Sequence, residues 1–424
     1  MSTKIEHLNA REILDSRGNP TIEVRTTLAG GVRGRASVPA GASKGSKEAL
    51  ELRDGDMKRY GGQGVLKPCQ FINTLITKEL KGFDAADQKA VDKKLIALDG
   101  TENKSKLGAN TTLAVSLSVL RAATKALHLP LYQYLRQLSS LASSKEYSMP
   151  TPVMNIFNGG KHADTNLDFQ EFWIIPYSAS TARERIRMGA EVFHKLKDVL
   201  QAEGLDTDTG NEGGYAPDIN SSIDALEWII QAIKASKYKP GKDVFLGIDA
   251  GANSFYDKER DTYFIEVEDA AFDTDKLIDL YSRWADTYPI TLLEDGLRED
   301  DWSGWQRLTK ALSGKMTIIG DDMFCTNLKI LKEAIQRQVG TGILIKPNQV
   351  GTISETIETM ETAKQNGYKI ICSHRSGETT DTTIVDLAVG LNADYLKAGS
   401  VSRGERVVKY NRLMEIEDEV ERQK

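Results

Sequence analysis

The sequence predicts an α/β protein, with a small N-terminal α+β domain over residues 1–140 and a β/α barrel over residues 141–424. Three observations predict it. Short apolar runs, each ending in a polar residue, recur through the second part, and helical segments lie between them. Earlier, two strand-like runs flank a Gly-Gly dipeptide. Between the two parts lies SSLASSKEYSMP, which is rich in serine, lacks apolar periodicity and ends in proline, as a connection between domains should.

In the first part, TIEVRTTLAG and GVRGRASVP meet at Gly30-Gly31, a dipeptide that tight hairpins favour. Leu113, Leu117 and Leu120 follow at three- and four-residue spacing. They predict a helix over 111–127 with one buried face, and Pro130 lies just past its end. In the second part, DVFLGID, ITLLED, TIIGDD, GILIK, KIICSH and DYLK end at Asp249, Glu294, Asp321, Lys346, His374 and Lys397. The last five of these residues stand 23 to 28 positions apart, one βα unit each time, with helices predicted over 275–288 and 353–366. The first gap, of 45 positions, contains DTYFIEVED and has room for an extra hairpin. Strands so spaced close into a barrel, and the residues at their C-terminal ends converge on one mouth, where barrel enzymes carry their chemistry.

Composition narrows the function. With 424 residues, 40% of them hydrophobic, the chain can bury a large core without disulfides. Its 55 Lys+Arg against 61 Asp+Glu, with no long basic run, argue against nucleic acid as the primary partner. Cys69, Cys325 and Cys372 are odd in number, far apart and form no CxxC pair, so neither a disulfide framework nor a thiolate zinc site is suggested, and a reducing cytoplasm fits. Lys4, Glu6 and His7 occupy the place where a secretion signal needs an apolar core. Arg121 interrupts the most apolar helix, so neither export by a signal nor a membrane span is expected.

The chemistry follows from the residues at the mouth. Asp249, Glu294 and Asp321 would repel one another if all were ionised, so a divalent cation should sit among them, and an oxygen-only set favours Mg²⁺. Read singly, each acid could equally cap the next helix. Lys346 ends a buried strand; facing Lys397 and a metal, it is expected to lose its proton easily and act as a base. A base beside a metal suits abstraction of a proton next to a carboxylate, through an enolate. NIFNGGKHADTNLDFQEF supplies His162 and Glu171, and TGNEGGYAPD supplies Glu212 in a glycine-rich turn; read alone, either loop could merely be solvated. Arg375 and Ser376, in His374-Arg375-Ser376-Gly377, match a phosphate, although a surface ion pair explains the arginine as well. GASKGS lacks the spacing of a nucleotide-binding phosphate loop.

At these residues, and over nearly its full length, the sequence resembles the enolase (phosphopyruvate hydratase) family. DSRGNPT, EALELRDGD, NKSKLGAN, NGGKHA, FQEF, NEGG, GIDA, LLED, GDD, KPNQVGT and SHRSGET stand in the family's order. The resemblance implies an atypical TIM-like barrel whose first strands are not all parallel. It also implies reversible dehydration of 2-phosphoglycerate to phosphoenolpyruvate in glycolysis and gluconeogenesis. Position by position, Lys346 would remove the C2 proton and Glu212 would protonate the departing C3 hydroxyl with Glu171 assisting. Asp249, Glu294 and Asp321 would hold one Mg²⁺, and a second would arrive with substrate. Lys397 would meet the substrate carboxylate region, Arg375 and Ser376 the phosphate, and His162 and His374 the closing loops.

Family members are usually homodimers, sometimes octamers. Some also sit on cell surfaces, bind plasminogen or join RNA-processing assemblies, and on that reading the C-terminal Lys424 is of interest. Three positions depart from the family pattern. Ala40 replaces a serine that helps hold the second Mg²⁺, leaving only a carbonyl. Asn211 replaces an aspartate beside Glu212, which should ease ionisation of that acid. Gly296 replaces a proline and should loosen a turn. Ala40 and Asn211 keep open a diverged relative acting on another phosphorylated or phosphonate acid.

Overall fold

The computed structural model describes residues 2–42, 45–144 and 146–423; Lys424 lies outside them. The N-terminal domain opens with an antiparallel sheet of β1 (Ile5–Leu14), β2 (Pro20–Leu28) and β3 (Arg33–Ser37), in that order. In β2, Ile22, Val24, Thr26 and Leu28 alternate inward, as a half-buried strand requires. The sequence reading found β2 and β3 but not β1. A register break between Ile5 and His7 upsets its alternation, so its buried Ile5, Leu8 and Ala10 follow no period of two.

Helix α1 (Leu66–Phe71) continues through a π-helical turn into α2 (Thr77–Leu80). Next come α3 (Gln88–Asp99), α4 (Ala109–Leu127) and α5 (Leu131–Gln137). Helix α4 is the expected one; it stops at His128, which turns left-handed at φ 55°, two residues before Pro130. The connection to the barrel is pinned by Arg136, whose Nε donates to the Gly390 carbonyl at 2.8 Å and whose guanidinium stacks 3.7 Å from the Tyr147 ring.

The barrel is closed and eight-stranded. Its strands are β4 (Thr151–Asn158), β5 (Glu171–Pro176) and β6 (Val244–Asp249), then, beyond a side sheet, β10 (Ile290–Glu294), β11 (Thr317–Gly320), β12 (Gly342–Ile345), β13 (Lys369–Ser373) and β14 (Tyr395–Lys397). Strand β5 runs antiparallel to both β4 and β6, whereas all other neighbours pair in parallel. The side sheet fills the long first gap. It has three antiparallel strands, β7 (Tyr256–Asp257), β8 (Thr262–Ile265) and β9 (Ala270–Phe272), one more than a hairpin.

Helices α6 (Ala182–Ala202) and α7 (Ser222–Ala235) separate β5 from β6. The outer ring continues with α8 (Thr274–Thr287), α9 (Trp302–Leu312), α10 (Leu328–Arg337), α11 (Ile353–Gln365), α12 (Thr383–Gly390) and α13 (Gly404–Glu421). Thr181, Ser221, Asp273, Asp301, Asn327 and Thr352 accept hydrogen bonds from the first-turn N–H groups of α6 to α11, which fixes where each helix starts. Inside the barrel, Val153, Trp173, Ile175, Leu292, Ile319, Leu344 and Ile371 form a separate apolar plug, so the barrel is a packed floor and not a channel. Among the described residues, no helix is long and apolar enough to cross a membrane.

Candidate active site

The polar strand ends anticipated from sequence converge above that plug. Asp249, Glu294 and Lys397 are the last residues of β6, β10 and β14, while Asp321, Lys346 and His374 follow β11, β12 and β13 directly. Glu171 reaches the same mouth from the opposite direction. Because β5 is reversed, its first residue pairs with the last residues of β4 and β6, Asn158 and Asp249. His162 ends a short 3-10 turn after β4, and Glu212 sits in the tight turn Gly210–Gly214. All of these side chains are buried, although their loops also carry exposed residues such as Lys161, Asp164, Asn166 and Thr209.

Lys397 is the hub of the acidic side. Its Nζ lies 2.9 Å from Glu294, 3.1 Å from Asp249 and 3.3 Å from Glu171. Burial pulls this ammonium towards neutrality, but Asp249, Glu171 and Glu294 outweigh it and hold the group well above the usual lysine range. Burial and the adjacent Asp249 push the Glu294 carboxyl well up in turn. Lys346 Nζ bonds to Asp321 Oδ2, and Asp321 Oδ1 accepts from the Gln349 amide at 2.9 Å.

Lys346 itself is under opposing influences. Burial does lower Lys346, and Arg375 and Lys397 help, but Asp321 and Glu294 raise it further, so the amine is held above its ordinary value.

The carboxylates offer a cation a place. Two groupings have ligand atoms all within 4.8 Å of one another: Asp295 with Asp321 and Asp322, and His162 with Glu171 and Glu212. The expected trio is not drawn to one point, because Lys397 spans Asp249 and Glu294 while Lys346 takes Asp321. Its chemistry still fits a divalent cation: the donors are all oxygen, all buried, on neighbouring strand ends, and already gripping ammonium groups.

Across the mouth, His162 Nδ1 lies 3.1 Å from Glu171 and 3.7 Å from Glu212, and its Nε2 is 3.4 Å from Ser376 Oγ. His374 Nε2 meets Glu212 at 3.1 Å, while its Nδ1 faces the Arg406 guanidinium. Because Arg406 can only donate, Nδ1 must accept, so His374 carries its proton on Nε2 and donates to Glu212. Burial depresses His374 to about 3, with Arg406 adding to the effect, and the ring stays neutral. Burial and the nearby Glu212 raise Glu171. Burial would raise Glu212 too, but His374, His162 and Arg406 hold it well below the usual range. The direction agrees with the expectation for Glu212, and the neighbours that set it are His374, His162 and Arg406.

After β13, Arg375 presents its fork to Glu48 of the N-terminal domain, with both N–H···O distances 3.0 Å. Ala40 forms a backbone bridge with Gly377, its N–H donating to the Gly377 carbonyl at 2.8 Å and its carbonyl accepting in return at 2.9 Å. The carbonyl expected to remain for a second metal is thus already taken, and Arg17 adds a contact at 3.4 Å. The Gly296 carbonyl accepts from the Tyr281 hydroxyl at 3.0 Å.

Arg406, Glu48, Gln349 and Trp173 escaped the sequence reading. Glu48 and Gln349 lie inside EALELRDGD and KPNQVGT, where the motif could have pointed to them; Arg406, among the charges of GERVVKYNR, carries no such signal.

The chain matches the N-terminal domain of enolase over residues 5–135 and the C-terminal TIM barrel domain of enolase over residues 146–424. With an acid- and lysine-lined mouth on such a barrel, these define a lyase of the enolase superfamily. The chain belongs to the enolase family.

Proposed function

We propose that the protein is a phosphopyruvate hydratase, interconverting 2-phosphoglycerate and phosphoenolpyruvate. The observation that carries this reading is the convergence, on one buried cavity, of the Lys346 amine, the Glu171–His162–Glu212 set, the acids Asp249 and Asp321, and Arg375. Base and acid can then act on one small substrate. Asp249, Glu294 and Asp321 would hold Mg²⁺, which supplies positive charge where the carboxylate becomes enediolate-like.

Lys346 takes the C2 proton. Lys397 steadies the carboxylate end. Glu212 delivers the proton that the C3 hydroxyl needs to leave as water, with Glu171 assisting; Glu212 lies low in the resting site, and Glu171 and His162, both held above their ordinary pKa, are the neighbours that supply its proton. Arg375 and Ser376 receive the phosphate once Glu48 gives up the fork.

Lys346→Ala should keep the fold and lose turnover by about 10²- to 10⁴-fold, the span of one general base. Glu212→Gln should lose net dehydration to a similar extent but still exchange the C2 proton with solvent. Phosphoenolpyruvate absorbance and deuterium exchange at C2 distinguish the two variants. Undiminished turnover in Lys346→Ala would remove the lysine as the base. A relative specialised for another phosphorylated or phosphonate acid is favoured by the engaged Ala40 carbonyl, and Ala40→Ser tests it: a lower Mg²⁺ requirement on 2-phosphoglycerate supports that reading, and an unchanged one rejects it.

A further inference from the structure

Trp173 touches both members of the Glu171–Lys397 pair, and the reaction above gives it no part. Along β5, Glu171, Trp173 and Ile175 share the inward face, so the indole lies one layer below the mouth and is 1% exposed. Its Nε1–H donates to Glu171 Oε2 at 2.6 Å. The Lys397 ammonium stands 4.6 Å from its ring centroid, within cation–π range. Gly247 is its register partner on β6, and a Cβ there would come within 2.6 Å of the indole. The neighbouring strand thus leaves room for this ring where any larger residue would displace it.

This arrangement bears on an awkward feature of the site. Lys397 occupies Asp249 and Glu294, the carboxylates a divalent cation would need. For both cations to share the mouth, the ammonium has to be held by something besides those two acids. Glu171 and the indole face are already in contact with it on the side of the floor.

Resting on the enolase-type reading above, we propose that Trp173 is a positioning residue. Its ring is a second seat for the Lys397 ammonium that leaves Asp249 and Glu294 available to magnesium, while its N–H fixes the orientation of Glu171.

Calorimetric titration of the full chain with magnesium chloride alone tests this, using Trp173→Phe and Trp173→Leu with thermal unfolding as the fold control. Affinity should fall in the order Trp, Phe, Leu, by about threefold for Trp173→Phe and roughly tenfold for Trp173→Leu, the range of a desolvated cation–π contact. In Trp173→Phe, which keeps a π face but loses the N–H, kcat should drop while KM for 2-phosphoglycerate stays nearly constant. A residue that only fills the barrel would leave magnesium affinity unchanged in every folded variant, and that result overturns the proposal. If Trp173→Leu does not fold, Trp173→Phe decides: affinity equal to that of the unmodified chain is the overturning result. Absence of 2-phosphoglycerate turnover by the unmodified chain would reject the proposed reaction yet leave the magnesium order to judge Trp173.

Discussion

The Arg406 guanidinium, fully buried, donates to His374 and to the carbonyls of Arg375, Ser376 and Asn211, so one side chain ties the Glu212 turn to the loop after β13. Its planar fork serves acceptors in several directions at once, which a lysine ammonium on a flexible stem does not reproduce. Arg406→Lys should therefore keep the charge and most of the fold but lose about 10- to 100-fold in kcat, the usual cost of disturbing a residue that orients others. Steady-state kinetics beside thermal unfolding checks this.

His374 adds a pH signature. Its folded pKa of about 3 lies below the unfolded 6.5, so its contribution is fully present above pH 6.5 and is lost as pH falls towards 3, when the unfolded chain takes a proton that the fold refuses. Denaturant unfolding between pH 7 and 4 should show a steeper loss for the unmodified chain than for His374→Asn. At this scale the sequence disclosed identities better than charge states. Lys346 was legible as a strand-end lysine, but whether it is neutral depends on Asp321, which is 25 positions away in sequence and in contact in space.

Among elements, the repeated βα units of the second half were legible because each strand is short, apolar and closed by a polar residue. The reversal of β5 was implied by the family resemblance but not legible in the strand's own pattern. EFWIIP is buried at every position, so it has no alternation from which facing or direction can be read, and only pairing with β4 and β6 shows that it runs the other way. That reversal is what brings Glu171 to the mouth.

The N-terminal sheet carries a comparable hidden requirement at Gly34 in β3. A Cβ there would come within 2.2 Å of the Ala122 backbone nitrogen in α4, so sheet and helix touch backbone to backbone. Gly34→Ala must push α4 off the sheet. It should cost about 1–3 kcal/mol, as overpacking does, and lower the thermal midpoint without altering the pH profile of any activity.

The two parts of the molecule are joined by polar contacts that no local pattern announces. Lys104 meets Glu355 at 2.9 Å, Arg121 meets Asp381 at 2.9 Å, and Glu48 closes on Arg375. Asp92 of α3 accepts from both the N–H and the hydroxyl of Ser354, at 2.9 and 2.6 Å, where α11 begins. Full burial raises this carboxyl to about 6, against the opposing hydrogen bonds from Ser354, Ser116 and Gln88. The sign follows from proton counting. Between the unfolded value of 3.8 and about 6, the folded chain holds a proton that the unfolded chain has lost, so the contribution is complete below 3.8 and disappears as pH rises through 6.

Two pH units of such a shift correspond to about 3 kcal/mol. Asp92→Asn cannot titrate, so its stability relative to the unmodified chain should improve by about that amount between pH 4 and pH 7, whatever fixed cost the amide adds at both. Urea unfolding of the two proteins at the two pH values reads the difference directly. A relative stability that worsens with pH would mean that Asp92 is held between the domains as an anion, stabilised by its donors more than it is penalised by burial.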